Sequence, residues 1–182
     1  MPSIVVIAGS PSATSRTVAL GEYLAERLRT QAHEVSVVSV RDLPAHALLD
    51  ADSTDPALAA VLAAVAGADG VLVASPVYKT AYSGVLKLLL DLLPQWAFAG
   101  KVALPVLTGG APAHALAVDY ALRPVLSNLG AQHVVQGGFV LDKDITRTSD
   151  GVELAPAGRG LLEIVDAFSQ TLHANAVLVG AP

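Results

Sequence analysis

The sequence has no cysteine among its 182 residues. That absence excludes disulfides, thiolate nucleophiles, iron–sulfur ligation and cysteine-based zinc sites together. Charge is scarce as well: Asp, Glu, Lys and Arg make up 15% of the chain, with a net charge of −5. A nucleic-acid groove needs clustered Lys and Arg against the phosphates, so this balance argues against one. The N-terminus enters an apolar run directly, without the basic start and small-residue cleavage site of a signal peptide. The longest uncharged run lies between Lys101 and Asp119. It contains Pro105, Gly109, Gly110 and Pro112, which make it a poor membrane span. A cytoplasmic protein without a metal site is the expectation.

What is present is apolar and weighted toward alanine: 53% of residues are hydrophobic, yet only 4% are aromatic. A chain of this length fits one domain, residues 1–182, and buries roughly 70% of its unfolded surface. So few charges leave too little polar surface for every helix, so some helix faces are expected to be buried between subunits of a homo-oligomer.

Apolar periodicity alternates between strand and helix along the chain. Ile4 to Ala8 reads as a buried parallel strand, and Leu20, Tyr23, Leu24 and Leu28 give a helix from about Ser15. Val35 to Val40 is a second strand. Asp55-Pro56 caps a helix whose buried face is Leu58, Val61, Leu62 and Val65. Gly70 to Ser75 is a third strand, followed by a turn-like stretch from Pro76 to Ser83. A helix then runs from Gly84 to Leu93, where Pro94 stops it. Val102 to Thr108 is a fourth strand, and Pro105 predicts a bulge or break in it because proline cannot donate to a ladder. A long helix is expected over Ala113 to Leu129, ended by Gly130. His133 to Val140 is a fifth strand interrupted at Gly137-Gly138. A polar loop from Asp142 to Gly151 and a last helix from about Pro156 to Ala174 complete the pattern. Five strands alternating with five helices specify a doubly wound α/β fold with helices on both faces. The expected five-stranded parallel order is the flavodoxin-like 2-1-3-4-5.

In such sheets ligands bind at the carboxyl ends of the strands, which singles out three loops. The first, Gly9 to Thr17, leaves a strand, carries many hydroxyls and opens a helix. A helix start offers unpaired N–H groups and a positive dipole end to a phosphate. Ser10, Ser15 and Thr17 could donate to it and Arg16 could add charge, though Ser15 could equally be an ordinary N-cap. The second loop begins Pro76-Val77-Tyr78-Lys79. Tyr78 offers the flat wall that a flavin ring needs, and Lys79 either balances the charge of a reduced ring or is simply solvated. The third, Thr108-Gly109-Gly110-Ala111, lets backbone approach closely, as a ring edge or a plain strand-to-helix turn requires.

These residues carry a family resemblance. Ala8-Gly9-Ser10-Pro11 with Ser15-Arg16, Ser75 to Lys79 with Ala81 to Gly84, and Thr108 to Gly110 resemble the NAD(P)H-dependent FMN reductases. Leu86-Lys87 with Leu89 to Pro94, and Ala113-His114 with Leu116 to Leu122, resemble the flavin reductase of two-component alkanesulfonate monooxygenase systems. The similarity spans about residues 4–136. It implies hydride transfer from NADPH to FMN, a homo-oligomer (a tetramer, or else a dimer), and delivery of reduced FMN to a separate monooxygenase. By position, Ser10, Ser15, Arg16 and Thr17 would hold the phosphate. Pro76, Val77, Tyr78 and Lys79 would line the ring, and Thr108, Gly109, Gly110 and Ala111 would face its other edge. Family members often place an arginine where this chain has Ser12. Phosphate charge would then rest on Arg16 and backbone N–H groups, implying a readily exchanged flavin.

The chemistry asks for orientation more than acid–base groups, so no side chain is assigned as general acid or base. His114, close to Gly109-Gly110, reads as structural or solvated. Pro124 deprives the Tyr120 carbonyl of its helical partner, which predicts either a kink or a π-bulge at Tyr120. In the reductases this chain resembles, a tyrosine here lies in a π-helical segment at the subunit interface, so Tyr120 is a candidate for shaping flavin release. Two other readings of the same fold are an electron-carrying flavodoxin and a quinone or azo-dye reductase with bound FMN. The first lacks support because the acids are not gathered into a docking face.

Overall fold

The computed structural model describes residues 1–149 and 151–180, with side chains through residue 175. Its centre is a parallel sheet of β1 (Ser3–Ala8), β2 (Glu34–Ser39), β3 (Gly70–Tyr78) and β5 (Val102–Gly109), completed by the short β6 (His133–Val134) and β7 (Gly138–Leu141). Strand order is β2-β1-β3-β5-β6, with β7 continuing beside β5. Counting β6 and β7 as one interrupted strand, this is the expected 2-1-3-4-5 order.

The central strands β1, β3 and β5 are buried on both faces, and alternation sends successive side chains to opposite layers. Val5, Ile7, Val71, Val73 and Leu107 pack beneath α3 (Pro56–Gly67), α4 (Gly84–Leu92) and α5 (Arg123–Asn128). Ile4, Val6, Leu72, Leu104 and Val106 pack beneath α1 (Arg16–Thr30) and α6 (Gly160–Gly180), against Leu24, Leu28, Val165 and Phe168. Asp55 caps α3 as its sequence indicates, accepting from the N–H groups of Ala57 (2.8 Å) and Leu58 (3.3 Å). Among the described residues, no helix is long and apolar enough to cross a membrane.

The structure corrects four sequence expectations. Pro105 neither bulges nor breaks its strand: β5 runs unbroken, with Pro105 paired to Val73. The Ala103 carbonyl accepts from Val135 N at 3.0 Å, so alternation turns the nitrogen of Pro105 toward that same neighbour. The missing donor is absorbed there, where the partner strand is interrupted between β6 and β7. The expected polar loop at 142–151 contains a 3-10 turn and β8 (Ile145–Thr148), which pairs antiparallel with β9 (Gly151–Leu154) where that loop was to end. The expected helix from 113 to 129 divides into a 3-10 turn (Pro112–Ala115), a π-helical turn (Val118–Leu122) and α5. The last helix starts only at Gly160, after a 3-10 turn at Pro156–Gly158, and a short α2 (Ala45–Leu49) had no clear apolar signature.

α6 is anchored to α1 by polar contacts whose strength depends on pH. Arg27 binds Asp166 through two bonds of 2.8 and 2.6 Å, and Gln31 adds a third at 2.6 Å. Beside them, His33 Nε2 lies 2.7 Å from Ser169 Oγ, and its ring stacks on His173 with centroids 4.5 Å apart. Burial, then repulsion from His173, hold the His33 pKa below the usual histidine value, outweighing a backbone contact at Pro2. The unfolded chain therefore takes up this proton first as pH falls. The contribution of His33 is complete above about pH 6.5 and declines below it. Thermal unfolding should show stability falling as pH drops through about 6.5, and His33→Phe should flatten that limb.

Candidate functional site

The three carboxyl-end loops are bound to one another through buried hydroxyls. Gly9 N donates to Ala74 O at 2.8 Å, holding the first loop onto β3. Ser83 Oγ donates to the carbonyl of Gly9. The same oxygen accepts from Leu86 N at 3.2 Å, so Ser83 also caps α4. Ser75 Oγ accepts from Ser83 N at 2.9 Å and donates to Pro76 O at 2.9 Å. Thr17 Oγ1 and Thr108 Oγ1 lie 2.7 Å apart in a buried bond between the first and third loops. The sequence reading missed Ser75 and Ser83 as connectors. Ser83 did leave a signal, standing as a cap-type residue just before a helix.

The first loop is organised around the start of α1. Ser15 caps α1, its Oγ accepting from Val18 N at 3.1 Å, so the N-cap role is realised. The N–H groups of Arg16 and Thr17, at the first and second helical positions, have no intrahelical acceptor by helix geometry. Ser10 is buried and its Oγ accepts from Ser12 N at 3.4 Å, curling the loop toward the helix end. Arg16 stands exposed at the rim. Unpaired N–H groups at a helix start, with a guanidinium beside them, suit a phosphate.

The second loop differs from expectation. The stretch from Pro76 to Ser83 is mostly strand: β3 continues to Tyr78 and pairs back with β4 (Ala81–Tyr82). Only Lys79 and Thr80 form the turn, at φ +50° and +66°. This left-handed pair gives the twist that a two-residue hairpin needs. It is costly for a β-branched threonine, and such strain gathers at functional sites. Thr80→Gly should raise stability by about 1 kcal/mol in chemical denaturation, since glycine adopts that backbone without strain. The strands fix the neighbouring side chains by alternation: Val77 turns into the core, whereas Tyr78 is 48% exposed. Pro76 and Tyr78 therefore share the face opposite the Val77 side chain, and Val77 can offer a ligand only backbone.

In the third loop, Thr108 and Gly109 are buried and Gly110 is open, with nothing within 4 Å of a Cβ built on it. Ala111 is half-buried beyond it. A Cβ on Gly109 would meet His114 Nδ1 at 2.7 Å, so only glycine lets this ring pack there. His114 Nδ1 is enclosed and has no partner among the described residues. The ring is held against the loop with one nitrogen unsatisfied at the site's edge.

Tyr120 is 81% exposed on the π-helical turn, and Leu116 beside that turn is 63% exposed. Of the two predicted outcomes at Pro124, the structure shows the π-turn: Arg123 N reaches back to the Val118 carbonyl. The Arg123 side chain fixes the turn in place, bonding Asp119 at 2.8 Å and the carbonyls of Val134 (2.9 Å) and Val135 (3.1 Å).

A doubly wound sheet with a hydroxyl-rich helix start at its switch point defines the class: flavodoxin-like α/β proteins. Within that class the chain belongs to the NADPH-dependent FMN reductase family, whose profile matches residues 2–146. It is 45% identical over 170 residues to an FMN reductase (NADPH) of Pseudomonas putida, covering 93% of this chain and 86% of that protein. An FMN reductase (NADPH) of Escherichia coli is 43% identical, covering 97% and 93%. Among solved structures, an apo NADH:FMN oxidoreductase superposes with a TM-score of 0.86 at 41% identity, covering 94% of this chain and 90% of that one.

Proposed function

We propose that the protein reduces FMN with NADPH, taking FMN as an exchangeable substrate at the three-loop ledge. The observation that carries this reading is the clipping of all three loops into one surface by Ser83 and the Thr17–Thr108 pair. Beside that surface lie the open helix start of α1 and the half-exposed Tyr78. The residues fit FMN: hydroxyls and N–H groups for its phosphate, an aromatic wall for its ring, and an unobstructed backbone at Gly110.

FMN, when bound, supplies a hydride acceptor. Ser10, Ser15, Arg16 and Thr17 surround the phosphate position, while Pro76, Val77, Tyr78 and Lys79 border the ring position. Thr108, Gly109, Gly110 and Ala111 bound the opposite edge. Lys79, exposed on its turn, would offer a cation to the negative charge of a reduced ring. No acid or base is needed, because stacking two rings converts the transfer into a positioning problem.

Reduced FMN then passes to a separate monooxygenase of the alkanesulfonate type, and the working unit is a homo-oligomer, a tetramer, with Leu116 and Tyr120 covered and Tyr120 shaping flavin release. Freshly purified protein should be largely colourless, and protein loaded with FMN should lose it on a desalting column. Retained yellow colour would favour the flavodoxin or bound-FMN quinone-reductase reading. Light scattering should give about four times the 18.5 kDa chain mass.

A further inference from the structure

The break between β6 and β7 is filled from outside the sheet. Ala103 pairs with Val134, and Val135 N donates to Ala103 O at 3.0 Å. One rung further, this register would bring the nitrogen of Pro105 to the carbonyl of Val135, and proline has no hydrogen to donate. The donor comes instead from Arg123, whose guanidinium bonds Val135 O at 3.1 Å and Val134 O at 2.9 Å. A third bond, from its Nε, reaches Asp119 at 2.8 Å. Val118 fits the same break by shape: a Cβ on Gly137 would collide with its side chain and stand 3.0 Å from Pro105 Cγ. Val118 and Arg123 are also joined by the π bond that defines the turn, from Arg123 N to Val118 O. Both ends of the π-helical turn are thus seated where the ladder beside β5 is interrupted.

The turn carries this seating toward the second loop. It packs against β4, and Tyr82 of that strand joins the core that includes Val118 and Leu122. β4 pairs with β3 through Val77–Tyr82 and Tyr78–Ala81, closing the hairpin that presents Tyr78 and Lys79. We propose that Arg123 is a positioning residue for the ring end of the site. It locks the π-helical turn into the strand break and so sets the place of β4 and of Tyr78. A guanidinium suits the task because its rigid fork serves three acceptors in fixed directions. An ammonium on a flexible stem, or a neutral amide, does not. The inference rests on the proposed reading of the ledge as an FMN site. Riboflavin, which is FMN without its phosphate, separates the two ends of that site. A change at Tyr78 weakens both flavins, whereas one at the start of α1 weakens FMN alone.

The test titrates FMN and riboflavin into Arg123→Gln and Arg123→Lys, each in the full chain and well below its melting temperature, with flavin fluorescence as the signal. Arg123→Gln should weaken both flavins by the same factor, roughly tenfold. The emission of the bound flavin at saturation, which contact with Tyr78 quenches, should rise. Arg123→Lys keeps the charge but serves fewer acceptors, so it should fall between Arg123→Gln and wild type. It carries the test alone if Arg123→Gln does not fold. A lowered melting temperature with both affinities and the bound-flavin emission unchanged would mark a merely structural role and overturn the proposal. A loss confined to FMN would overturn it too, by placing the effect at the phosphate end. Wild-type protein that binds neither flavin would instead refute the reading of the ledge as a flavin site, and this inference with it.

Discussion

Replacing Ser83 with alanine should cost about 2–4 kcal/mol of stability and most of the affinity for FMN. The hydroxyl does two things at once. It accepts from Leu86 N at 3.2 Å as the N-cap of α4, and losing such a cap costs about 1 kcal/mol. It also donates to the Gly9 carbonyl inside the protein. Alanine leaves that carbonyl buried without a donor, a further cost of about 1–3 kcal/mol. The functional loss follows from position, because Gly9 begins the loop proposed to seat the phosphate and Ser83 ends the one that presents Tyr78. Urea denaturation and a titration with FMN measure both consequences on one preparation. A variant of wild-type stability that binds FMN normally would show that the loops need no clip.

Gly9→Ala should be nearly as damaging to FMN binding, through packing alone. The new Cβ would lie 2.5 Å from Leu86 Cβ, closer than real contacts allow. Leu86 cannot yield: it is fully buried on α4 and its N–H is held by Ser83. The loop must move instead, at a cost of about 1–3 kcal/mol, and the helix-start N–H groups of Arg16 and Thr17 lose their setting. Gly84→Ala is the matched control, since a Cβ there meets nothing within 4 Å. It should leave FMN affinity unchanged, and a loss equal to that of Gly9→Ala would refute the packing argument.

Much of this molecule was legible in its sequence because its central strands are buried on both faces and therefore read as unbroken apolar runs. Ile4 to Ala8 and Gly70 to Ser75 are of this kind, and the helices between them fixed the strand order. Asp55-Pro56 and Ser15 identified helix starts through their capping chemistry. What escaped was decided by partners distant in the chain. Pro105 looked disruptive because a sequence does not show that the adjoining strand opens opposite it. The β8–β9 hairpin lay within a segment whose exposed polar residues resemble a loop. Lys79 and Thr80 carry no glycine to announce their left-handed turn.

At the site, sequence found the three loops and the candidate residues but not how they are joined. Ser75, Ser83 and the Thr17–Thr108 bond connect positions far apart in the chain, and no local spacing encodes them.

The central claim, that this ledge takes FMN as a substrate for reduction by NADPH, is tested most directly by steady-state NADPH oxidation over a range of added FMN. The rate should be near zero without flavin and rise to saturation as FMN is added and consumed. NADPH oxidation that does not respond to FMN, or none at any FMN concentration, would contradict it.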